Sequence, residues 1–160
     1  MSQTRFINPQ TLGKPPGYTH VVEVTAPGRI VYIAGQLGVD RDGKVVGDFR
    51  RQAVQTFENL KTALAAVGAR FRHVVKLNNY LVDRAHLPTF REVRDSYLAE
   101  NDRPASTTIA ISALAREGAL IEIEAVAVLP AAARSKAAAK SASKARSARP
   151  PRRRARSTRR

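Results

Sequence analysis

Two glutamates separated by one residue, in Ile121-Glu122-Ile123-Glu124-Ala125, form a pair of candidate acid–base groups in a β-rich run. On a strand they share one face at about 6.6 Å, close enough to raise each other's pKa unless cations or hydrogen-bond donors stand nearby. The pattern fits a solvated or ion-paired face, and equally a carboxylate that positions water in a pocket. Gly35-Gln36 ends another β-rich run, where a bare glycine lets backbone N–H groups approach a ligand, or simply makes a turn. Tyr18 follows Pro15-Pro16-Gly17 in a loop and can close a pocket. In Arg103-Pro104-Ala105-Ser106-Thr107-Thr108, a run of hydroxyls stands where an anion-binding cation is expected.

Other chemistries lack their residues. There is no GxSxG elbow, P-loop or GxGxxG, and His20, His73 and His86 are too far apart for a compact metal motif. With no Cys, disulfides, thiolate catalysis and thiolate metal sites are excluded together. Metal, nucleotide and triad chemistry are not expected.

The elements that position these residues follow from spacing. β-rich runs at 22–25 and 30–33, joined across Ala26-Pro27-Gly28, predict a hairpin, and Asp42-Gly43 marks a second turn before a short strand at 44–46. Phe49, Ala53, Phe57, Leu60, Leu64 and Val67 recur at helical intervals, with Asp48 to cap the start and Gly68 to stop the helix near 48–68. A strand at 73–82 precedes a second amphipathic helix carrying Leu87, Phe90, Val93 and Tyr97, with Pro88 in its first turn. Strands at 107–114 and 119–128 complete the order ββ(β)αβαββ. This is an α+β fold, one mixed sheet with two helices on one face. The uncovered face predicts self-association with closed symmetry.

Charge divides the chain in two. All 13 acidic residues and 16 of the 28 Lys and Arg lie in 1–130, whereas 131–160 holds 12 Lys and Arg, no acid and no aromatic residue. The expected organisation is a folded domain at 1–130 and a disordered Ala/Lys/Arg/Ser-rich tail at 131–160. The start MSQTRFINPQ has no continuous apolar core, and no stretch approaches the roughly 18 apolar residues of a membrane span. A cytoplasmic protein without membrane insertion is expected.

Tyr18 after the Pro-Gly turn, Ala34-Gly35-Gln36 at a strand end, the helix at 48–68, and Arg103-Pro104-Ala105-Ser106 leading into IEIEAVAV together resemble the RidA (YjgF, reactive intermediate imine/enamine deaminase) family over about residues 5–130. The resemblance implies a chorismate-mutase-like subunit assembled as a homotrimer, with ligand clefts between neighbours. It also implies cofactor-free hydrolysis of 2-imino acids or their enamines to 2-keto acids and ammonia. It assigns Tyr18, Gly35 and Gln36 to ligand binding and Glu122 to orienting the water. The family's arginine just after Pro-Ala, which holds the substrate carboxylate, is replaced here by Ser106, and a helix asparagine by Arg94. A charge-assisted arginine–carboxylate contact is worth about 1.5–3 kcal/mol, against about 0.5–1.5 for a neutral hydroxyl.

The expected cleft therefore binds a small polar metabolite, with Ser106 and Thr107 as neutral donors and Arg94 or Arg103 as the replacement cation. Two readings stay open: a 2-iminobutanoate/2-iminopropanoate deaminase-type hydrolase, or a non-catalytic small-molecule-binding trimer. A different class of function comes from the tail. Its cations, Arg152, Arg153, Arg154, Arg156, Arg159 and Arg160 among them, suit salt-sensitive contacts with nucleic acid phosphates.

Overall fold

The computed structural model describes residues 3–26 and 28–131. The basic tail from 132 onward, with its six named arginines, lies outside the described residues, as does Pro27 of the expected hairpin turn.

Nine residues of β-rich sequence, β6 (Ile121–Leu129), form a spine at the middle of a four-stranded sheet. On one side β6 pairs antiparallel with β3 (Arg29–Leu37), and on the other antiparallel with β4 (Val74–Leu81). β5 (Ala105–Ala110) adds to β4 in parallel at the sheet edge. A parallel neighbour requires a crossover. Helix α2 (Leu87–Tyr97) supplies it, entered through a 3-10 turn at Arg84–His86. Helix α1 (Phe49–Ala66) packs against β3 and β6. The α+β class and the two helices are as the spacing predicts.

The hairpin is not found. β2 (Val21–Thr25) pairs with β1 (Gln3–Ile7), a strand the sequence reading did not assign, and the two form a separate ribbon. The runs at 22–25 and 30–33 are thus in different sheets. Ala26, not Gly28, takes the positive φ (50°), and the place a Gly28 side chain would need is filled by the backbone of Pro130 and Ala131. β3 finds its partner in the long apolar β6, which offers more cross-strand contact than a short hairpin. Residues 44–46 give only an isolated bridge, Val39 to Val45, and the strand expected at 107–114 instead runs Ala105–Ala110.

Strand alternation then sorts the side chains. Ile121, Ile123, Ala125, Ala127 and Leu129 are buried beneath the helices, whereas Glu122 and Glu124 lie on the opposite face. That opposite face also exposes Ile30, Tyr32 and Ile109. On α1 the residues Phe49, Ala53, Phe57, Leu60 and Leu64 are buried, as the spacing requires. Asp48 caps the helix by accepting from the Arg51 N–H (2.9 Å), and Gly68 at φ +74° ends it. Gln52 is buried in the same stripe and fastens α1 to the approach of β6, accepting from the Leu120 N–H (2.8 Å) and donating to the Gly118 carbonyl (3.1 Å).

Phe57 is the hub that joins the two helices. Its ring stacks on Tyr97 (4.9 Å between centroids) and borders Phe90 and Phe71. Burial, followed by the hydrogen bond that Tyr97 donates to Glu58, pushes the Tyr97 phenol up to about 12, so it stays a neutral donor. No helix of the described residues is long and apolar enough to cross a membrane. Phe57→Ala should cost about 3–5 kcal/mol of unfolding free energy, and Asp48→Ala about 1, both read by urea denaturation.

Candidate functional site

A cleft of about 400 Å³ opens between β5 and α2 on the helix side of the sheet. Leu81 and Leu87 give it apolar lining, Ser106 and Thr108 project from β5, and Arg91 and Arg94 border it from α2. Tyr18 and Pro16 form part of its wall, and Arg84 reaches it from the 3-10 turn.

The hydroxyl run is split by alternation. β4 and β5 are aligned so that Asn79 lies opposite Thr108. The two hydrogens on Nδ2 of buried Asn79 serve three acceptors, the Thr107 carbonyl (2.9 Å) and, sharing one hydrogen, Ser106 Oγ (2.9 Å) and Thr108 Oγ1 (3.1 Å). Thr107 borders the cleft with its chain, but its hydroxyl lies on the opposite face and accepts from Lys76 Nζ (2.6 Å). Thr108, rather than Thr107, is therefore the hydroxyl that accompanies Ser106. The sequence names Thr108 in the hydroxyl run but gives the cleft role to Thr107, and Asn79 carries no signal until β4 is aligned with β5.

The loop that brings Tyr18 to the cleft is held by charge. Arg94, only 5% exposed in its side chain, donates through Nε to Asp95 Oδ1 (2.8 Å) and through Nη2 to the Pro16 carbonyl (3.4 Å). Arg103 donates to the same Asp95 oxygen (2.5 Å) and to the Gly17 carbonyl (3.4 Å). Gly17 sits at φ +93°, and both guanidinium groups occupy the space its side chain would need. Thr19 completes the attachment, its N–H bonding the Pro104 carbonyl (3.2 Å) and its hydroxyl the Arg103 carbonyl (2.6 Å). Of the two candidate cations, Arg94 borders the cleft and Arg103 does not. Both are committed to Asp95 and the loop.

The remaining site residues lie elsewhere. The pairing of β3 with β6 shifts register between Ile33 and Gln36, a bulge that contains Ala34 and Gly35. The place of a Gly35 side chain is filled by the Glu122 carboxylate. Gln36 folds back to donate to the Ala34 carbonyl (3.1 Å), so its amide nitrogen serves the bulge. Glu124 accepts from Asn78 (3.2 Å) and Tyr80 (3.1 Å), whereas Glu122 has no hydrogen-bond partner among the described residues. The two glutamates are thus distinct, one tied down and one free. Within a single chain, Tyr18, Arg94 and Ser106 meet in the cleft, and Gly35 and Glu122 meet on the other face of the sheet. Among the described residues no group of three or more His, Asp or Glu is placed to hold a metal ion.

A sheet with two helices on one face, an edge-strand cleft and a glycine bulge against a strand carboxylate define a RidA-like subunit. A family model described as Endoribonuclease L-PSP matches residues 12–129, and the chain belongs to this family, the RidA/YjgF family of the sequence resemblance. Protein DfrA of Myxococcus xanthus is 38% identical over 113 residues, covering 69% of this chain and 84% of that protein. A 2-iminobutanoate/2-iminopropanoate deaminase of Dermatophagoides farinae is 31% identical over 132 residues, covering 81% and 99%. The crystal structure of the Rid-family protein YyfB from Yersinia pestis superposes with a TM-score of 0.70 at 38% identity, covering 79% of this chain and 98% of that one.

Burial raises the Asp95 carboxyl, but the hydrogen bonds and charges of Arg94 and Arg103 together outweigh this and hold it below the usual carboxylate range. A depressed folded-state pKa contributes stability that is present above the unfolded value and is lost as pH falls through the folded one. Asp95→Asn should therefore melt below the parent at pH 7, and the gap should close as pH drops below about 4, measured by thermal denaturation across pH.

Proposed function

We propose that this chain is a hydrolase of reactive imines or enamines, acting in clefts completed between the copies of a homotrimer. The observation that carries the reading is the separation of the two half-sites. The cleft with Tyr18 and Ser106 and the free carboxylate of Glu122 against Gly35 lie on opposite faces of one sheet. A second copy bringing its Glu122 to the first copy's cleft would complete a site. The exposed Ile30, Tyr32 and Ile109 supply apolar surface for such a contact. The relative from Dermatophagoides farinae, named for deamination of 2-imino acids, supports the reaction class.

In this reading water adds to the iminium carbon while Glu122 takes its proton. The resulting carbinolamine takes that proton on nitrogen from Glu122 and expels ammonia, while its hydroxyl proton passes back to Glu122 and a 2-oxo acid is left. The free carboxylate suits general-base work, since Glu124 already satisfies the neighbouring donors Asn78 and Tyr80. Ser106 contributes a neutral hydrogen bond where a β5 arginine would supply a charge-assisted one.

Glu122→Gln should lower turnover of 2-iminobutanoate by about a hundredfold or more, followed as release of 2-oxobutanoate and ammonia. Ser106→Arg should lower KM for that monocarboxylate about tenfold. Unchanged turnover in Glu122→Gln would exclude this mechanism.

The tail supports a second activity on independent grounds, its 12 Lys and Arg without a compensating acid. Association with nucleic acid through it would be salt-sensitive and largely independent of sequence. Removing 131–160 should abolish duplex DNA binding at low salt while leaving imine hydrolysis intact, as read by fluorescence anisotropy beside the turnover assay.

A further inference from the structure

The β5–α2 cleft is charged along its whole length. Its lining includes Arg84, Arg91 and Arg94 and contains no Asp or Glu. The ion pairs of the described residues join Arg5 to Glu23, Arg50 to Glu92, Lys61 to Glu58, and Arg94 and Arg103 to Asp95. Arg84 and Arg91 belong to none of them. Asp95 divides its single charge between Arg94 and Arg103, so the cleft keeps a surplus of positive charge.

The cations are spread along the cleft. Arg91 and Arg94, three apart on α2, are neighbours on one helix face. Arg94 stands at the Ser106 end, because it holds the loop that Thr19 fastens to Pro104, just before β5. Leu81 pairs with Ala110 at the other end of β5, and Arg84 follows three residues after Leu81. From Ser106 to Ala110 the strand extends about 13 Å. This suits a short chain with a charged group at each end, each approached by a long guanidinium side chain.

The Ser106 end has a second feature. Asn79 is 1% exposed, and its Oδ1 has no partner among the described residues. Leaving a buried acceptor unmet is a cost to stability, which the contacts of this asparagine's Nδ2 with β5 offset. The orientation of its amide is fixed because the Thr107 carbonyl can only accept, which places Nδ2 on that side. The one hydrogen that remains on Nδ2 is shared by Ser106 Oγ and Thr108 Oγ1, which leaves the hydroxyl hydrogens free to donate. Their remaining neighbour is the cleft.

The geometry points to a cleft selective for small dicarboxylates. One carboxylate is received by the Ser106 and Thr108 hydroxyls with Arg91, and the other by Arg84. Asn79 is a positioning residue that keeps the two hydroxyls as donors. The cations of this receptor thus lie on the segment 84–94, and its neutral donors on β5. The inference rests on the proposed function for the nature of the substrate, a dicarboxylic 2-imino acid, but the binding itself is independent of turnover.

The test is titration calorimetry on the full chain at constant ionic strength, with 2-oxoglutarate and 2-oxobutanoate as the di- and monocarboxylate probes. The dicarboxylate should bind at least tenfold tighter. Arg84→Gln should remove that preference and leave 2-oxobutanoate affinity within about twofold, whereas the exposed Arg41→Gln, outside the cleft, should preserve it. Asn79→Val should weaken both probes about tenfold with an unchanged or higher melting temperature, a combination that a purely structural role would not produce. Equal affinity for the two probes, binding of neither, or a preference that survives Arg84→Gln would overturn the inference. Selective 2-oxoglutarate binding without imine turnover would instead sink the hydrolase reading and leave the receptor standing.

Discussion

One carboxylate, that of Asp95, holds together three parts of the molecule that are distant in sequence. It pairs with both Arg94 on α2 and Arg103 ahead of β5, and those two guanidinium groups then grip the carbonyls of Pro16 and Gly17. Without it, a nearly buried guanidinium would remain unpaired, a far more costly state than the loss of a surface ion pair. The position of Tyr18 against the cleft follows from this junction, because the tyrosine comes next after the gripped segment. A loop of small residues thereby gains a fixed place beside a strand with which it shares no sheet.

A second constraint comes from strand geometry. Because successive side chains alternate, Ser106 and Thr108 face the helices while Thr107 faces away, and Glu122 cannot face the same way as its buried neighbours Ile121 and Ile123. The parallel pairing of β4 and β5 sets which residue of β4 meets the hydroxyls, and that residue is Asn79. A shift of one position would offer them Asn78 or Tyr80, which instead donate to Glu124. Chemistry on each side of the sheet is thus settled by register as much as by residue type.

Much of the fold was legible in the sequence because the periodic signals are strong. The α1 stripe, the Asp48 cap and the alternation of IEIEA all appear where their spacing places them. The hairpin was misread because local turn chemistry at 26–28 says nothing of the competing partner, and β6, almost a hundred residues later, is the better match for β3. The site was only half legible. Ser106 and Glu122 stand out by type and by family resemblance, whereas the commitment of Arg94 and Arg103 to Asp95 depends on a meeting that no spacing rule reveals. Asn79 was hidden for a related reason: in a strand of otherwise apolar inward positions it reads as an interruption, and its meaning comes from the neighbouring strand.

The bulge at Gly35 and the cations of the cleft differ in how firmly the surrounding structure holds them. Gln36 secures that bulge from within its own strand, so the backbone beside Glu122 is set before any ligand arrives. The Ser106 end of the cleft is likewise fixed by Asn79. Arg84 and Arg91 are long and exposed, and holding such a side chain still costs about 0.5–1.5 kcal/mol of conformational entropy. In the proposed receptor, shape would therefore be imposed at the tied-down surfaces, and the length of what fits would be negotiated by two side chains that must give up their freedom to take part.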